Sequence, residues 1–190
     1  MIVLFLAPGF EEVEALAPLD LLRRAGLDVV TVAVNAPGVW EDTTAVTGTH
    51  GITVLADMTE AAFAERLGDD IFPEAVILPG GMPGSTNLDA SETVEKTLEL
   101  AAAKGAYLCA ICAAPLVLGK RGYLSGKRAT CYPGFELFLE GATTGGKVIR
   151  DGKVITAAGM GVAQEFGLEI ISAMVSPEKA GEIRSAIQSM

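Results

Sequence analysis

Residues 106–115, with the sequence Ala-Tyr-Leu-Cys-Ala-Ile-Cys-Ala-Ala-Pro, constrain the fold of this chain more than any other stretch. The first half is continuously apolar, which is typical of a parallel strand that is buried on both faces. The second half is rich in helix formers, and Pro115 suits a first helical turn, where no intrahelical N–H donor is required. The pattern predicts a strand that turns directly into a helix, with Cys112 at the junction.

A cysteine at such a junction has unusual surroundings. The free N–H groups of the first helical turn and the positive end of the helix dipole lie beside it. Both features favour a thiolate and lower the pKa of the thiol. The arrangement is the thiol counterpart of the nucleophile elbow. Cys112 is therefore the candidate nucleophile, although a cysteine in an apolar stretch is more often a small buried hydrophobe.

Strand and helix patterns alternate along the rest of the chain. Residues 2–7 and 28–34 are apolar runs of strand length, and the amphipathic pattern of residues 11–24 between them predicts a right-handed βαβ unit. An Asp-Gly turn between two apolar runs predicts a hairpin over residues 148–155. Further strands are predicted at residues 52–55, 75–78 and 129–132. Further helices are predicted at residues 59–67, 91–104, 164–174 and 178–188. We expect one doubly wound α/β domain over residues 1–190, with a mostly parallel sheet.

Composition and charge exclude several classes of function. The formal net charge of −10 at pH 7 opposes binding to nucleic acid or to an anionic membrane. No apolar run is long enough to cross a bilayer, and residues 2–7 lack the basic flank of a signal peptide. Three cysteines in a chain without an export signal predict reduced thiols in the cytoplasm. The cysteines and the one histidine lack metal-ligand spacing, so no metal site is expected.

Ligands of doubly wound sheets bind outside the carboxyl ends of the strands. Beside Cys112, three predicted strand ends carry residues suited to a site: the acids Glu11, Glu12 and Glu14, the pair Gly80-Gly81, and Tyr132. An acid that points inward would have a raised pKa, keep its proton and donate a hydrogen bond to the sulfur. A glycine in the 80–84 turn would let a backbone N–H approach a reacting oxygen, with the N–H of Ala113 as a second donor.

Three further residues could contribute, each with a simpler explanation. Cys109 stands three residues before Cys112, as in a dithiol redox motif, but its place inside the strand makes it a core residue. Cys131 is expected to be buried, although the end of its strand could bring it near Cys112. His50 is the only histidine of the chain and lies in a polar loop. It is either a solvated surface residue or the base that activates the thiol.

Three motifs, in this order and spacing, resemble the ThiJ/PfpI superfamily and most closely its DJ-one-like branch. They are Ala7-Pro8-Gly9-Phe10-Glu11-Glu12-Val13-Glu14, Leu78-Pro79-Gly80-Gly81 and Ala110-Ile111-Cys112-Ala113-Ala114-Pro115. The resemblance runs from residue 2 to about residue 182. It implies a flavodoxin-like fold related to the class I glutamine amidotransferases, and a homodimer.

The resemblance also implies roles at individual positions. Cys112 matches the reactive cysteine of the family, and Glu14 matches the glutamate that is hydrogen-bonded to it. Gly81 and Ala113 match the backbone donors. Residues 159–161, Gly-Met-Gly, stand where the family often has Gly-Pro-Gly near the site.

This chain departs from the pattern of its relatives at Ala113 and Tyr132, and a third residue, His50, lies near a position that is an arginine in relatives. Peptidase-like relatives have a histidine at the position of Ala113, which disfavours a proteolytic function. Many DJ-one-like members have a histidine at the position of Tyr132, so a possible base is absent. His50 falls near a position where relatives carry an arginine close to the thiol, across the dimer boundary.

The activities proposed for the family give two leading hypotheses. One is a cofactor-independent enzyme for a small aldehyde substrate: a glutathione-independent glyoxalase that converts methylglyoxal to lactate, or a deglycase. The other is an oxidative-stress sensor or chaperone, in which Cys112 oxidises to a sulfinate. Because the same residues serve both hypotheses, the sequence does not separate them. A cysteine peptidase is the third hypothesis.

Overall fold

The structure, a computed structural model, describes residues 1–39 and 43–189. The strands are β1 (Ile2–Leu6), β2 (Val29–Ala33), β3 (Ala45–Thr47), β4 (Thr53–Leu55), β5 (Met58–Thr59), β6 (Ala75–Leu78), β7 (Tyr107–Ile111), β8 (Arg128–Ala129), β9 (Thr143–Thr144), β10 (Val148–Asp151) and β11 (Val154–Ala157). The helices are α1 (Glu12–Arg24), α2 (Glu60–Ala64), α3 (Gly84–Ala90), α4 (Glu92–Ala103), α5 (Pro115–Lys120), α6 (Ala163–Met174) and α7 (Pro177–Ala186). Two short 3₁₀ helices span Glu136–Phe138 and Met160–Val162.

Seven strands form the main sheet, in the order β10-β11-β7-β6-β1-β2-β5. Strands β11, β7, β6, β1, β2 and β5 run parallel to their neighbours, and β10 is antiparallel to β11. This topology confirms the predicted mostly parallel sheet and the hairpin built on the Asp-Gly turn. The parallel arrangement brings the carboxyl ends of β1, β6 and β7 to adjacent positions on one edge, where the candidate residues follow.

The central strands are buried on both faces. Phe5 belongs to a hydrophobic cluster that includes residues of α4 and α5. Its neighbours Leu4 and Leu6 belong to a second cluster, which includes residues of α1 and α6. Since adjacent residues of a strand point to opposite faces, helices cover both sides of the sheet, as in a doubly wound fold.

Two local predictions were wrong, the edge strand at residues 52–55 and the strand at residues 129–132, and one helix was missed. The strand at residues 52–55 does not join the main sheet; β4 pairs with β3 in a separate antiparallel hairpin, and β5 is the edge strand instead. The strand at residues 129–132 is reduced to β8, which pairs with β9 in another small sheet. Helix α3 was not predicted, because its sequence, Gly-Ser-Thr-Asn-Leu-Asp-Ala, has few strong helix formers. Short segments such as these take their structure from tertiary contacts rather than from propensity.

Within the described part of the chain, every helix is too short or too polar to cross a bilayer.

Helix α1 carries Glu14, and its position depends on close packing against α6. The two helices meet at Gly167, where an added Cβ would lie 2.9 Å from Leu21 Cδ1 and 3.0 Å from Pro18 Cα. The Pro18 contact is with backbone, which cannot rotate away. A glycine at this point of α6 therefore allows α1 to lie close against α6.

We expect Gly167→Val to lower the free energy of unfolding by about 2 kcal/mol, because the side chain overpacks the contact between α1 and α6. Gly181→Val in α7 is the matched control, since nothing lies within 4 Å of a Cβ at that position. The control should change stability by less than about 0.5 kcal/mol. Chemical denaturation of both variants measures the difference, and equal effects would contradict the packing argument.

Candidate active site

Cys112 occupies the tight turn between β7 and α5. Its φ of +63° is uncommon for a residue with a side chain and stores local strain. Two backbone hydrogen bonds fix the turn: the Cys112 N–H donates to Ala157 O, and the Tyr132 N–H donates to Cys112 O, both at 2.8 Å. The predicted strand–turn–helix geometry is confirmed, and the strain is held by strand β11 on one side and the 130–132 segment on the other.

Glu14 lies in the first turn of α1 and is 1% exposed. Glu11 is the N-cap of this helix, and its Oε2 accepts the Glu14 N–H at 2.7 Å. The buried carboxyl of Glu14 accepts a hydrogen bond from the N–H of Gly80 at 3.0 Å and another from the N–H of Met160. Its third partner is the side chain of Cys112. Of the three acids that the residues alone left open, the structure brings Glu14 to the sulfur.

Backbone N–H groups also reach the sulfur. The N–H groups of Gly81 and Ala113 donate hydrogen bonds to Cys112 Sγ. These are the two backbone donors that the family resemblance implied. Glycine is needed in this turn, because a Cβ at position 80 would lie 2.6 Å from Cys112 Cβ and would overlap the Glu14 carboxyl. Gly81 has a φ of +89°, and a Cβ there would lie 2.6 Å from Gly9 O. The turn after β6 therefore approaches the elbow more closely than any side chain would permit.

Burial and mutual repulsion set the protonation of the Cys112–Glu14 pair. Burial raises the pKa of Glu14 to about 7, assisted by the charge of Glu11 and opposed by its hydrogen bonds. Burial also raises the pKa of Cys112 to about 12, together with the negative charge of Glu14, while the two N–H donors act in the opposite direction. The pKa of the thiol is thus raised, whereas the sequence predicted that the helix terminus would lower it.

The raised pKa of the Cys112 thiol changes how a thiolate can form. Two negative charges cannot coexist in the buried pair, so loss of its first proton leaves one charge for sulfur and carboxylate to share. The sulfur is ionised only while Glu14 holds the proton. A proton transfer within the pair, rather than a permanent thiolate, is what this geometry provides.

His50 is bound to Glu12. Its Nδ1 lies 2.8 Å from Glu12 Oε2, and its backbone N–H donates to Glu12 Oε1 at 2.7 Å. Burial would raise the pKa of Glu12, but the hydrogen bonds from His50 and from the N–H of Ile52 lower it below its ordinary value. The same hydrogen bond raises the pKa of His50. The side chain of His50 is 67% exposed, and its contacts attach the turn between β3 and β4 to the start of α1.

Glu11, Glu12 and His50 also bring three possible metal-ligand atoms within 4.8 Å of one another. The hydrogen bonds just described already occupy carboxylate oxygens of both acids. We therefore assign this group to the attachment of the β3–β4 turn.

Tyr132 lies at the mouth of the site and is 52% exposed. A Cβ placed on Gly159 would lie 3.5 Å from Tyr132 Cδ2 and 3.8 Å from Glu14 Oε1, so Gly159 separates the ring from the carboxyl. The sequence placed Tyr132 after a strand of the main sheet. It follows the small β8 instead, and its N–H bond to Cys112 brings it to the site.

The other two cysteines lie in the core, and all three thiols are free. Cys109 is fully buried within β7, as predicted, and burial raises its pKa. Cys131 is 5% exposed, and burial raises its pKa to about 11. Cys131 belongs to the cluster on the α5 side of the sheet, whereas Cys112 packs against the cluster on the α6 side. This arrangement disfavours a direct disulfide between them.

Sequence reasoning missed two contacts of Glu14. The residues alone gave the N–H of Gly80 no role, although Gly80 stands in the quoted motif. The N–H of Met160 could have been found only from the resemblance of residues 159–161 to a Gly-Pro-Gly segment near the site. Both donors come from loops whose approach to α1 depends on the whole sheet.

The fold and the site together define a flavodoxin-like α/β protein with a cysteine at a strand-to-helix elbow and a buried glutamate beside it. Residues 1–173 match the model of the DJ-1/PfpI family. The chain therefore belongs to the DJ-1/PfpI family, as its three motifs indicated.

Relatives are similar over most or all of this chain. It is 36% identical over 192 residues to "Protein dj-1beta" of Drosophila melanogaster, covering 97% of this chain and 95% of that protein. It is 28% identical over 179 residues to "Glutathione-independent glyoxalase DJR-1.2" of Caenorhabditis elegans, covering 91% and 87%. The crystal structure of Drosophila melanogaster DJ-1beta superposes with a TM-score of 0.87 at 33% identity, covering 100% and 97%. The chain spans 39% of the length of "Protein DJ-1 homolog B" of Arabidopsis thaliana, to which it is 36% identical over 180 residues.

The raised pKa of Glu14 predicts a pH-dependent cost in stability. A carboxyl whose pKa rises from 4.5 to about 7 on folding stabilises the protein below pH 4.5, and that stability is lost as the pH rises through about 7. Between pH 5 and pH 8, the free energy of unfolding of the wild type should fall by about 2.5 kcal/mol relative to that of Glu14→Gln. Urea denaturation at several pH values measures this difference.

Glu11→Gln is the control for that experiment. It retains the side-chain acceptor of the helix cap and leaves the Glu14 carboxyl in place, so most of the pH dependence should persist. If the curves of wild type and Glu14→Gln stay parallel from pH 5 to pH 8, Glu14 does not titrate in this range.

Proposed function

We propose that this protein is a cofactor-independent enzyme that uses Cys112 to act on small reactive aldehydes. The specific reaction proposed is a glutathione-independent glyoxalase reaction, methylglyoxal to lactate; the same chemistry on an aldehyde adduct of an amine would be deglycation. The observation that carries the proposal is the buried Cys112–Glu14 pair, which can exchange one proton. The similarity to a glutathione-independent glyoxalase of Caenorhabditis elegans supports the choice of substrate.

The first step requires the sulfur as a nucleophile. Glu14 takes the thiol proton, and Cys112 Sγ adds to the aldehyde carbon, giving a hemithioacetal whose oxygen receives a proton. The N–H groups of Gly81 and Ala113, which donate to the sulfur in the free protein, lie beside the oxygen that develops negative charge. No metal or cofactor is needed for this addition.

The second step moves a proton between the two substrate carbons. The Glu14 carboxylate removes the proton from the carbon bonded to sulfur, which gives an enediol, and then delivers a proton to the adjacent carbon. The product is a thioester of lactate on Cys112. Water hydrolyses the thioester, releasing lactate and restoring the thiol, so the overall reaction is redox-neutral. A pKa near 7 suits Glu14 to both giving and taking a proton at neutral pH.

We expect purified protein to form lactate from methylglyoxal, with kcat/KM rising as the pH increases through about 7, where the pair loses its first proton. Cys112→Ser should abolish the activity, and Glu14→Gln should lower kcat about 10²- to 10⁴-fold, the usual contribution of a general acid–base group. Enzymatic measurement of lactate at several pH values provides the test.

Cys109→Ser and Cys131→Ser are the matched controls, because both thiols are buried away from the pair. Each should retain turnover in the folded protein. Lactate formation at the background rate in the wild type would refute the glyoxalase proposal, as would full activity of Cys112→Ser.

A redox sensor is the alternative function, and the partial exposure of Cys112 supports it. Cys109 and Cys131 are buried, so an oxidant reaches Cys112 first. Protonated Glu14 and the two N–H donors could hold the oxygens of a sulfinate. Mass spectrometry after mild peroxide treatment, with no turnover of methylglyoxal, would favour the sensor. Ala113 disfavours a peptidase, which would require cleavage of casein that Cys112→Ser abolishes.

We further propose a homodimer that acts in the cytoplasm on a small aldehyde, without nucleic acid or membrane as a partner. Exposed apolar side chains on α1 and the β3–β4 hairpin support self-association: Val13 is 44% exposed, Ile52 54% and Leu55 76%. Apolar surface of this kind is typical of protein interfaces.

A further inference from the structure

Three large apolar side chains are exposed at residues that adjoin the Cys112–Glu14 pair. Tyr132 is 52% exposed, Met160 53% and Met82 45%. The N–H of Tyr132 donates to the carbonyl of Cys112, and the N–H of Met160 donates to the Glu14 carboxyl. Met82 directly follows Gly81, whose N–H donates to the sulfur. The backbone contacts that build the pair therefore bring two thioethers and a phenol to its surroundings.

The ring of Tyr132 is the best located of these groups. A Cβ on Gly159 would lie 3.5 Å from Tyr132 Cδ2 and 3.8 Å from Glu14 Oε1, so these two atoms are at most 7.3 Å apart. The ring therefore lies beside the acid that would move the proton in the proposed reaction. The side chain is 52% exposed, so the packing of the protein leaves part of the ring accessible.

The charges that act on the pKa values of Glu14 and Cys112 are those of carboxylates, Glu11 and Glu14. Glu14 itself is a carboxyl, and the charge of Glu11 acts on it strongly enough to raise its pKa. The imidazole of His50, whose Nδ1 lies 3.9 Å from Glu11 Oε1, is engaged by Glu12 at 2.8 Å. An anionic substituent on a substrate would meet repulsion at this site, whereas an apolar one would meet Tyr132 and the methionine residues.

We infer that Tyr132 is a specificity-determining residue, and that the preferred substrates are neutral 2-oxoaldehydes with an apolar, above all aromatic, substituent. This inference rests on the proposed function. With the aldehyde carbon bonded to Cys112 Sγ and the second carbon reached by Glu14, the substituent on the second carbon extends toward the ring of Tyr132. An aryl group there packs against the tyrosine ring, while a methyl group contacts little of it.

The test compares kcat/KM for phenylglyoxal, methylglyoxal and 4-carboxyphenylglyoxal. The wild type should favour phenylglyoxal over methylglyoxal about tenfold or more, and should favour phenylglyoxal over its carboxylated analogue. Tyr132→Ala should lower the ratio of phenylglyoxal to methylglyoxal at least about fivefold, mainly through KM for phenylglyoxal. Tyr132→Phe, which keeps the ring and removes the hydroxyl, should retain the ratio.

Leu137→Ala is the matched control, because Leu137 is 73% exposed in the 3₁₀ helix that follows Tyr132. It should change neither constant. Tyr132→Leu provides a second variant without the ring, and it should also lower the ratio. A purely structural role for Tyr132 would reduce both substrates equally and leave the ratio constant.

The possible failures are distinguishable. Turnover of methylglyoxal with the same substrate ratio in wild type and Tyr132→Ala would overturn the assignment of Tyr132 and leave the proposed function intact. A wild type that prefers the carboxylated analogue would overturn the proposed substrate class. Turnover of none of the three aldehydes would overturn the proposed function, and with it this inference.

Discussion

The site depends on one buried proton that Cys112 and Glu14 share. Burial opposes ionisation of both groups, and the charge of Glu14 further opposes ionisation of Cys112. Together, with N–H donors from Gly80, Gly81 and Ala113, they can hold a single negative charge and place it on either atom. The proposed addition and proton transfer would use this freedom, because the carboxyl that takes the thiol proton can later return it.

Three strand ends supply the pair and its donors. Glu14 comes from the helix after β1, the two glycine N–H groups from the turn after β6, and Cys112 from the turn after β7. The parallel sheet makes these segments neighbours although they are distant in sequence. A side chain at position 80 would overlap the Cys112–Glu14 pair, and one at position 81 would overlap the backbone of residues 9–11, so the site requires both glycines.

Much of this arrangement could be predicted from residue patterns. The apolar run and Pro115 gave the elbow, and the alternation of strands and helices gave the parallel sheet. The residues alone did not choose among Glu11, Glu12 and Glu14, because the rotation of a first helical turn depends on what caps it; the family resemblance made that choice. The contact between His50 and Glu12 could not be predicted either, since it depends on a hairpin whose strands have only three residues each. The pKa of Cys112 was predicted in the wrong direction, because helix termini act locally while burial depends on the whole fold.

The features that suit the site to the proposed chemistry also reduce the stability of the fold. Cys112 has a positive φ, and Glu14 gives up hydration for a buried position where its ionised form is disfavoured. The surrounding structure must offset these costs, and the sheet does so with continuous apolar strands beneath the site and close packing of α1 on α6. Selection for stability alone would replace the acid and relax the turn. Their coexistence at one point of the sheet edge is therefore better explained by chemistry at Cys112 than by packing.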